Sequence, residues 1–533
     1  MGGVWSETGL SQGLAAGEHH GIALAGGGDY DGDGVGDWLV GSFKAMNGNR
    51  PEAGRVEVIS GADGSVLASI AGLKYDRLGG SVDWIGDIDG DGRDDFLAGA
   101  VLGANLTSGT TLTGRAYVWS SAANGPLRVH EGTTQGEHFG SDVAGGMDLD
   151  GDGVNDYVVG SRFFVVNGLP VGAVFAYSGA SGAQLWRIDG PSAWSHFGAA
   201  VDLAGDVDGD GTPDVLVGSA VANANAGFAA VYSGATGAQI LQVVGLGGEN
   251  LGADVAGIGD VDGDGYADLL VGAPSANNGV GAAYIFSGFS GTILQQFDGA
   301  PGGQLGYGLS LAGDVDGDGQ VEVIVGAPNA TPTDTGYARI YTAATGALVK
   351  ELTGNAPNDF FGRSSAGIGD TDGDGCDEFV IGAHRASNAA GDAFAGEVRR
   401  FDFNPILFTD VVEMGAAAGG QVDCQFDFPD SEAGKLYAVV VSYSGTGPTN
   451  YAGIDLPLGR DTMFDRTVNG DWPRIFTAPH GVLDPNGDGS TLYIGDALWL
   501  TPRIGETFHG CVVSYDNAGP RLVSVARPLT ILP

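Results

Sequence analysis

Positive charge is scarce: 23 Lys and Arg stand against 66 Asp and Glu in 533 residues. Nucleic acid and anionic membrane are poor partners for such a chain, because their phosphates carry the same sign. Cysteine is rarer still, with only Cys376, Cys424 and Cys511. The last two lie near the C-terminus and can form one disulfide, which spacing alone does not establish. No run of 18 or more apolar residues occurs, so no membrane-spanning helix is expected. The opening MGGVWSETGL lacks the charged and apolar regions of a signal peptide. The expectation is a leader already removed, or no secretion by that route. Catalytic signatures are also missing: there is no H-E-x-x-H, no P-loop and no Cys/His metal cluster. One G-x-S-x-G match, at residues 9–13, is expected in a hairpin turn instead of a strand-to-helix elbow. No enzyme is expected.

Glycine, by contrast, is abundant at 98 residues, with no three-residue period. That composition excludes collagen and points to many tight turns between short strands. A hydrophobic content of 43% argues for a folded chain despite a formal charge of -43. Its length exceeds one ordinary domain.

An acidic string recurs along the chain: DYDGDGVGD (29–37), DIDGDGRDD (87–95), DLDGDGVND (148–156), DVDGDGTPD (206–214), DVDGDGYAD (260–268), DVDGDGQVE (314–322) and DTDGDGCDE (370–378). The mean period is about 57 residues, longer than helical repeats and suited to a four-stranded blade. Eight residues before each copy stands a glycine: Gly21, Gly79, Gly140, Gly198, Gly252, Gly306 and Gly362. Twelve residues after its first Asp stands another: Gly41, Gly99, Gly160, Gly218, Gly272, Gly326 and Gly382. Length varies elsewhere, so this segment is one rigid unit and the insertions are loops.

Runs such as DVLVGS, GFAAVYSG and ILQVVG read as short β-strands around the acidic hairpin. Four antiparallel strands per unit, seven times over, predict an all-β fold, a seven-bladed β-propeller over residues 1–403. A linear solenoid is the alternative. The last unit lacks a good fourth strand, and residues 2–17 match the back half of a unit. Residues 1–17 are therefore expected to close the last blade and remove exposed sheet edges.

These residues resemble the FG-GAP repeat proteins, which include the propeller of integrin α-subunits. The FG element stands as Phe139-Gly140, Phe197-Gly198 and Phe361-Gly362, with Leu78, Leu251, Leu305 and His20 replacing the aromatic elsewhere. GAP is intact at 272–274 and 326–328. The resemblance covers about residues 1–403, and these Phe and Gly residues are expected to pack between blades.

Alternate carboxylates at loop positions 1, 3 and 5 can converge on one ion, and Gly at position 6 permits the sharp turn. The copies are not EF-hands, because strands flank them and the closing carboxylate stands at position 9. The resemblance implies up to seven structural Ca²⁺ ions, each held by four side chains. These would be Asp29, Asp31, Asp33 and Asp37; Asp87, Asp89, Asp91 and Asp95; Asp148, Asp150, Asp152 and Asp156; and Asp206, Asp208, Asp210 and Asp214. The series continues as Asp260, Asp262, Asp264 and Asp268; Asp314, Asp316, Asp318 and Glu322; and Asp370, Asp372, Asp374 and Glu378. A carbonyl at position 7 would join each set, from Val35, Arg93, Val154, Thr212, Tyr266, Gln320 and Cys376. All-oxygen ligation favours Ca²⁺ over Mg²⁺. The loops hold 28 of the 66 acidic residues, and seven Ca²⁺ would move the formal charge from -43 to about -29, so halophilic adaptation is not required.

The period stops near residue 403. Alternating runs punctuated by Pro and Gly then predict a β-sandwich-like domain over 404–533. Within it DPNGDGSTL (484–492) mimics a calcium loop, but Leu492 stands at position 9, so an Asx-rich turn is the favoured reading.

Three functions are open. The first is a calcium-stabilised extracellular or cell-surface adhesion protein, binding a protein or glycan on the face opposite the acidic loops. Long loops there carry Lys44, Arg50, Arg162, Phe163, Phe164 and Trp194 as ligand-face candidates. The second is a scaffold of a secreted or surface complex, and the third a carbohydrate-active enzyme. His138 and His196 precede FG positions and are expected to be packing or surface residues.

Overall fold

The computed structural model describes residues 3–405, apart from 106, 107, 110, 124 and 329–334, and beyond 405 the backbone of strands between 407 and 532. Seven four-stranded antiparallel sheets account for the first part. The fourth is typical: Ala200–Gly205, Asp214–Gly218, Phe228–Tyr232 and Gln239–Val244 pair in chain order. The first strands of successive sheets pack side by side, and Phe361–Gly369 of the last packs on Leu24–Gly28 of the first. The ring is thus closed, and the architecture is a seven-bladed β-propeller. Residues from all seven first strands line a central channel of about 360 Å³.

Within a blade, the residue pattern follows position in the sheet. Second strands such as Asp95–Ala100 and Glu322–Ala327 are buried at every residue, because sheets press on both faces. They read as unbroken apolar runs, unlike the alternation of a half-exposed strand. Val215, Leu216 and Val217 together contribute about 5–9 kcal/mol of apolar transfer, before conformational entropy is charged. Fourth strands such as Gln239–Val244 form the outer edge and leave residues such as Gln239, Gln242 and Val244 in solvent.

The two constant glycines meet each other across the blade interface. A Cβ on Gly326 would lie 1.9 Å from the carbonyl oxygen of Gly362, and one on Gly272 would lie 2.0 Å from that of Gly306. Each second-strand glycine thus lets the FG glycine of the next blade approach, and that FG glycine itself has positive φ, as at Gly362 (84°). First strands are also stapled to their neighbours. Asp83 Oδ2 accepts the Gly145 N–H (2.8 Å), Asp142 that of Val201 (2.9 Å), Asp202 that of Gly257 (2.8 Å) and Asp254 that of Leu309 (2.9 Å).

The last sheet is built from both ends of the propeller sequence. Gly3–Gln12 pairs antiparallel with Glu397–Pro405 and becomes its fourth strand. Trp5 packs on Phe379 and Phe403, and Glu7 forms an ion pair with Arg399 at 2.5 Å. Gly9–Gln12, past a bulge between Glu7 and Gly9, continue this strand. The G-x-S-x-G match therefore sits mostly in a strand and not in a hairpin turn, a correction that follows from the length of the pairing with 397–405. Its Ser11 Oγ bonds His20 Nε2 (2.8 Å), while His20 Nδ1 faces Ser42 Oγ (2.9 Å). His20, fully buried in the slot that Phe fills elsewhere, ties the closing strand to blade 1.

Beyond 405 the described strands form two larger sheets and one hairpin. One sheet joins Leu407–Thr409, Gly420–Asp427, Asp488–Gly495 and Phe476–Thr477. The other contains Leu436–Ser442 and Thr507–Asp516 at its centre. Cys424 and Cys511 belong to different sheets. Residues 484–487 of the calcium-loop mimic lie outside the described residues.

Candidate functional site

Each acidic string links the first and second strands of a blade, so all seven loops lie on one face with the turns between third and fourth strands. The loops are tightly wound. Glycines at positions 4 and 6 both have positive φ, as Gly209 (77°) and Gly211 (89°) show. Position 4 thus needs a glycine as much as position 6 does. The position-1 carboxylate collects loop amides: Asp206 Oδ1 accepts from Gly209 (2.7 Å) and Asp210 (3.1 Å), and Oδ2 from Gly211 (2.9 Å). Asp210 Oδ1 accepts the Thr212 N–H at 2.8 Å. The bond from the position-6 amide to the position-1 carboxylate recurs in all seven loops, from Asp29 to Asp370.

The position-9 carboxylates play a different part. All seven, from Asp37 to Glu378, are buried. Asp214 accepts from Val207 N–H within its own loop (2.8 Å) and from Gly234 N–H in the next turn (3.2 Å). Asp37, Asp95, Asp156 and Asp268 do likewise, reaching Gly61, Ser121, Gly179 and Gly288. Burial pushes the Asp37 carboxyl up to about 6 and those of Asp95 and Asp214 up to about 7. A bound cation would oppose that shift.

Carboxylate oxygens converge in these loops. Asp370, Asp372, Asp374 and Glu378 each offer one within 4.8 Å of the others, as do Asp29, Asp31 and Asp33; Asp87, Asp89 and Asp95; Asp148, Asp150 and Asp156; and Asp206, Asp208 and Asp210. Glu378 Oε1 is buried without a hydrogen-bond donor. A donor set made only of oxygen, with such an acceptor left over, fits a hard divalent cation.

The opposite face is formed by the connections into FG and the loops after GAP. There Arg162, Phe163 and Trp194 come together: Phe163 lies edge-on to Trp194, His196 and His138, with the Arg162 guanidinium 5.2 Å from its ring. Trp194 is 64% exposed. Lys44 lies over Phe43 at 5.2 Å. Arg50 is exposed at a loop tip bridged to Asn47, and Phe164 turns inward to pack on Phe175, so neither joins that group. Four further residues gather beside Lys44: His19, Phe360, His384 and Arg385. The sequence reading missed them, although repeat register could have found them. His19, His138, His196 and Phe360 each precede an FG position with positive φ of 55–61°, while Phe43, Arg162 and His384 occupy the third position of GAP.

A family model for the FG-GAP repeat matches residues 252–286 and 305–341. Among curated proteins, integrin alpha-4 of Xenopus laevis is 33% identical over 171 residues, covering 29% of this chain and 16% of that protein. Integrin alpha-3 of Cricetulus griseus is 34% identical over 187 residues (30% and 18%). Integrin alpha pat-2 of Caenorhabditis elegans is 30% identical over 222 residues (36% and 18%). The matched part spans less than a fifth of the length of these relatives.

Proposed function

We propose that this FG-GAP repeat protein, integrin-α-like in its propeller, is a cell-surface or extracellular adhesion module, held rigid by Ca²⁺ on one face and binding its ligand on the other. One observation carries the reading. Seven loops of one design occupy one face, while the opposite face varies from blade to blade and gathers aromatic and cationic side chains. Invariance suits a structural ion repeated seven times; variation suits recognition. The ligand would be a protein or glycan meeting Trp194, Phe163, Arg162 and Lys44. Ca²⁺ would be held by the carboxylates at loop positions 1, 3, 5 and 9 and the carbonyl at 7. We assign residues 1–403 to this propeller unit and 404–533 to a separate β-sandwich-like domain.

Ion binding to folded loops stabilises the native state by mass action, because an unfolded loop cannot assemble the site. Adding EDTA should lower the melting temperature and open the hairpins to protease, and Ca²⁺ in excess should restore both. An EDTA-treated protein that melts unchanged would remove the ion from this account. For recognition, an array of extracellular proteins and glycans tests the face: Trp194→Ala should abolish any specific binding found. Retention of that binding would place the ligand elsewhere.

A further inference from the structure

At the rim between blades 7 and 1, two imidazoles and three cations crowd together. The rings of His19 and His384 lie 5.5 Å apart, and the Nδ1 atom of each is buried with no hydrogen-bond partner. His384 is 94% buried, at 6% exposure. Lys44, Arg363 and Arg385 all act electrostatically on His384, and none of the three forms an ion pair among the described residues. Arg363 is partly offset by the channel's Asp254, while Lys44 and Arg385 rest on the faces of Phe43 and Phe360. In a chain carrying -43, Lys44 and Arg385 are thus positive charges with no ion-pair partner among the described residues, beside unpartnered imidazole nitrogens.

Resting on the reading of this face as the ligand face, we propose that the rim site binds a carboxylate presented by an acidic peptide segment of a protein partner. A metal ion is disfavoured, because three cations repel it. An anion meets the opposite situation: guanidinium and ammonium donors, two imidazoles whose unpartnered Nδ1 can carry the proton and donate it, and low local dielectric. The charges converge around one imidazole and do not run as a track, which suits a single carboxylate better than a polysulfated chain. Phe394, 48% exposed and stacked on His19, offers the carrier chain an apolar wall.

Capped acidic hexapeptides, with Asn/Gln counterparts, would be screened against the full chain with Ca²⁺ present, and hits measured by calorimetry. A heparin hexasaccharide and Zn²⁺ complete the set. The expected result is binding of an acidic peptide that its amide counterpart lacks. Its affinity should fall about tenfold in Lys44→Gln and again in Arg385→Gln, with the His19 and His384 ring resonances shifting on saturation. Both substitutions are at solvent-accessible positions and leave the blade cores untouched. Equal binding of the amide peptides, absence of any acidic hit, or selective binding of heparin or Zn²⁺ would overturn the proposal. An acidic peptide insensitive to Lys44→Gln and Arg385→Gln but lost in Trp194→Ala would overturn the rim site alone, leaving the wider reading of the face standing.

Discussion

At the scale of single residues, the molecule is most sensitive where two blades touch backbone to backbone. Gly326→Ala places a methyl group 1.9 Å from the Gly362 carbonyl oxygen, where no flexible side chain can yield. We expect a loss of about 3 kcal/mol, read as a lower midpoint in urea at unchanged slope. His20 poses a subtler case. Phe stands at the equivalent position in three other repeats, so His20→Phe looks like a repair. Yet His20 bonds Ser11 and Ser42 and lies 3.6 Å from Glu57, all in the closing seam. Phe there strands two hydroxyls, so the substitution should cost about 1–3 kcal/mol. A more stable His20→Phe protein would show that shape outweighs hydrogen bonding in that slot.

At the scale of the hairpin, loop carboxylates divide into two kinds. Asp214 serves two buried backbone N–H groups, and Asp208 lies exposed at the loop tip. Asp214→Ala should therefore destabilise the protein by about 2–4 kcal/mol even in EDTA, because both donors lose their acceptor. Asp208→Asn should melt like the parent in EDTA and gain less from Ca²⁺. Equal losses for both in EDTA would deny the division. The sequence makes the loop readable because Asp, Gly and the closing carboxylate recur at fixed spacing. It does not reveal that Asp214 reaches Gly234, since that bond crosses twenty residues and depends on the third and fourth strands being in place. Phe163 and Phe164 show the same boundary of legibility. They are adjacent and chemically identical, yet one faces the group of Trp194, His138 and His196 and the other the blade interior.

At the scale of the whole ring, the channel aspartates couple stability to pH. Burial, together with Asp202, pushes the Asp83 carboxyl up to about 8, against 3.8 in the free chain, and Asp142 is also raised well above its ordinary range. The folded state thus holds a proton that the unfolded state releases. Below about pH 4 both states are protonated and folding loses nothing through Asp83; stability then falls as pH rises towards 8. Asp83→Asn should flatten this part of the curve, measured as melting temperature between pH 5 and 9 with Ca²⁺ saturating. An unchanged slope would show that the carboxylate is ionised in the folded ring. Blade number and ring closure were legible from the repeats and from the unfinished last unit. The acidic channel was not, because its aspartates alternate between two registers of the first strand and so leave no motif.

The closing seam also sets a schedule for synthesis. Gln12 and its neighbour Glu397 are 385 residues apart in the chain. At roughly 5–20 residues per second, the first strand waits about 20–80 s on the ribosome before its partner is made. Throughout that interval Trp5 and the backbone of Gly3–Gln12 are an unpaired strand that any unfinished sheet edge can capture. The latch of the ring is therefore made hundreds of residues before its catch, and slowing translation lengthens its exposure to misjoining between neighbouring copies.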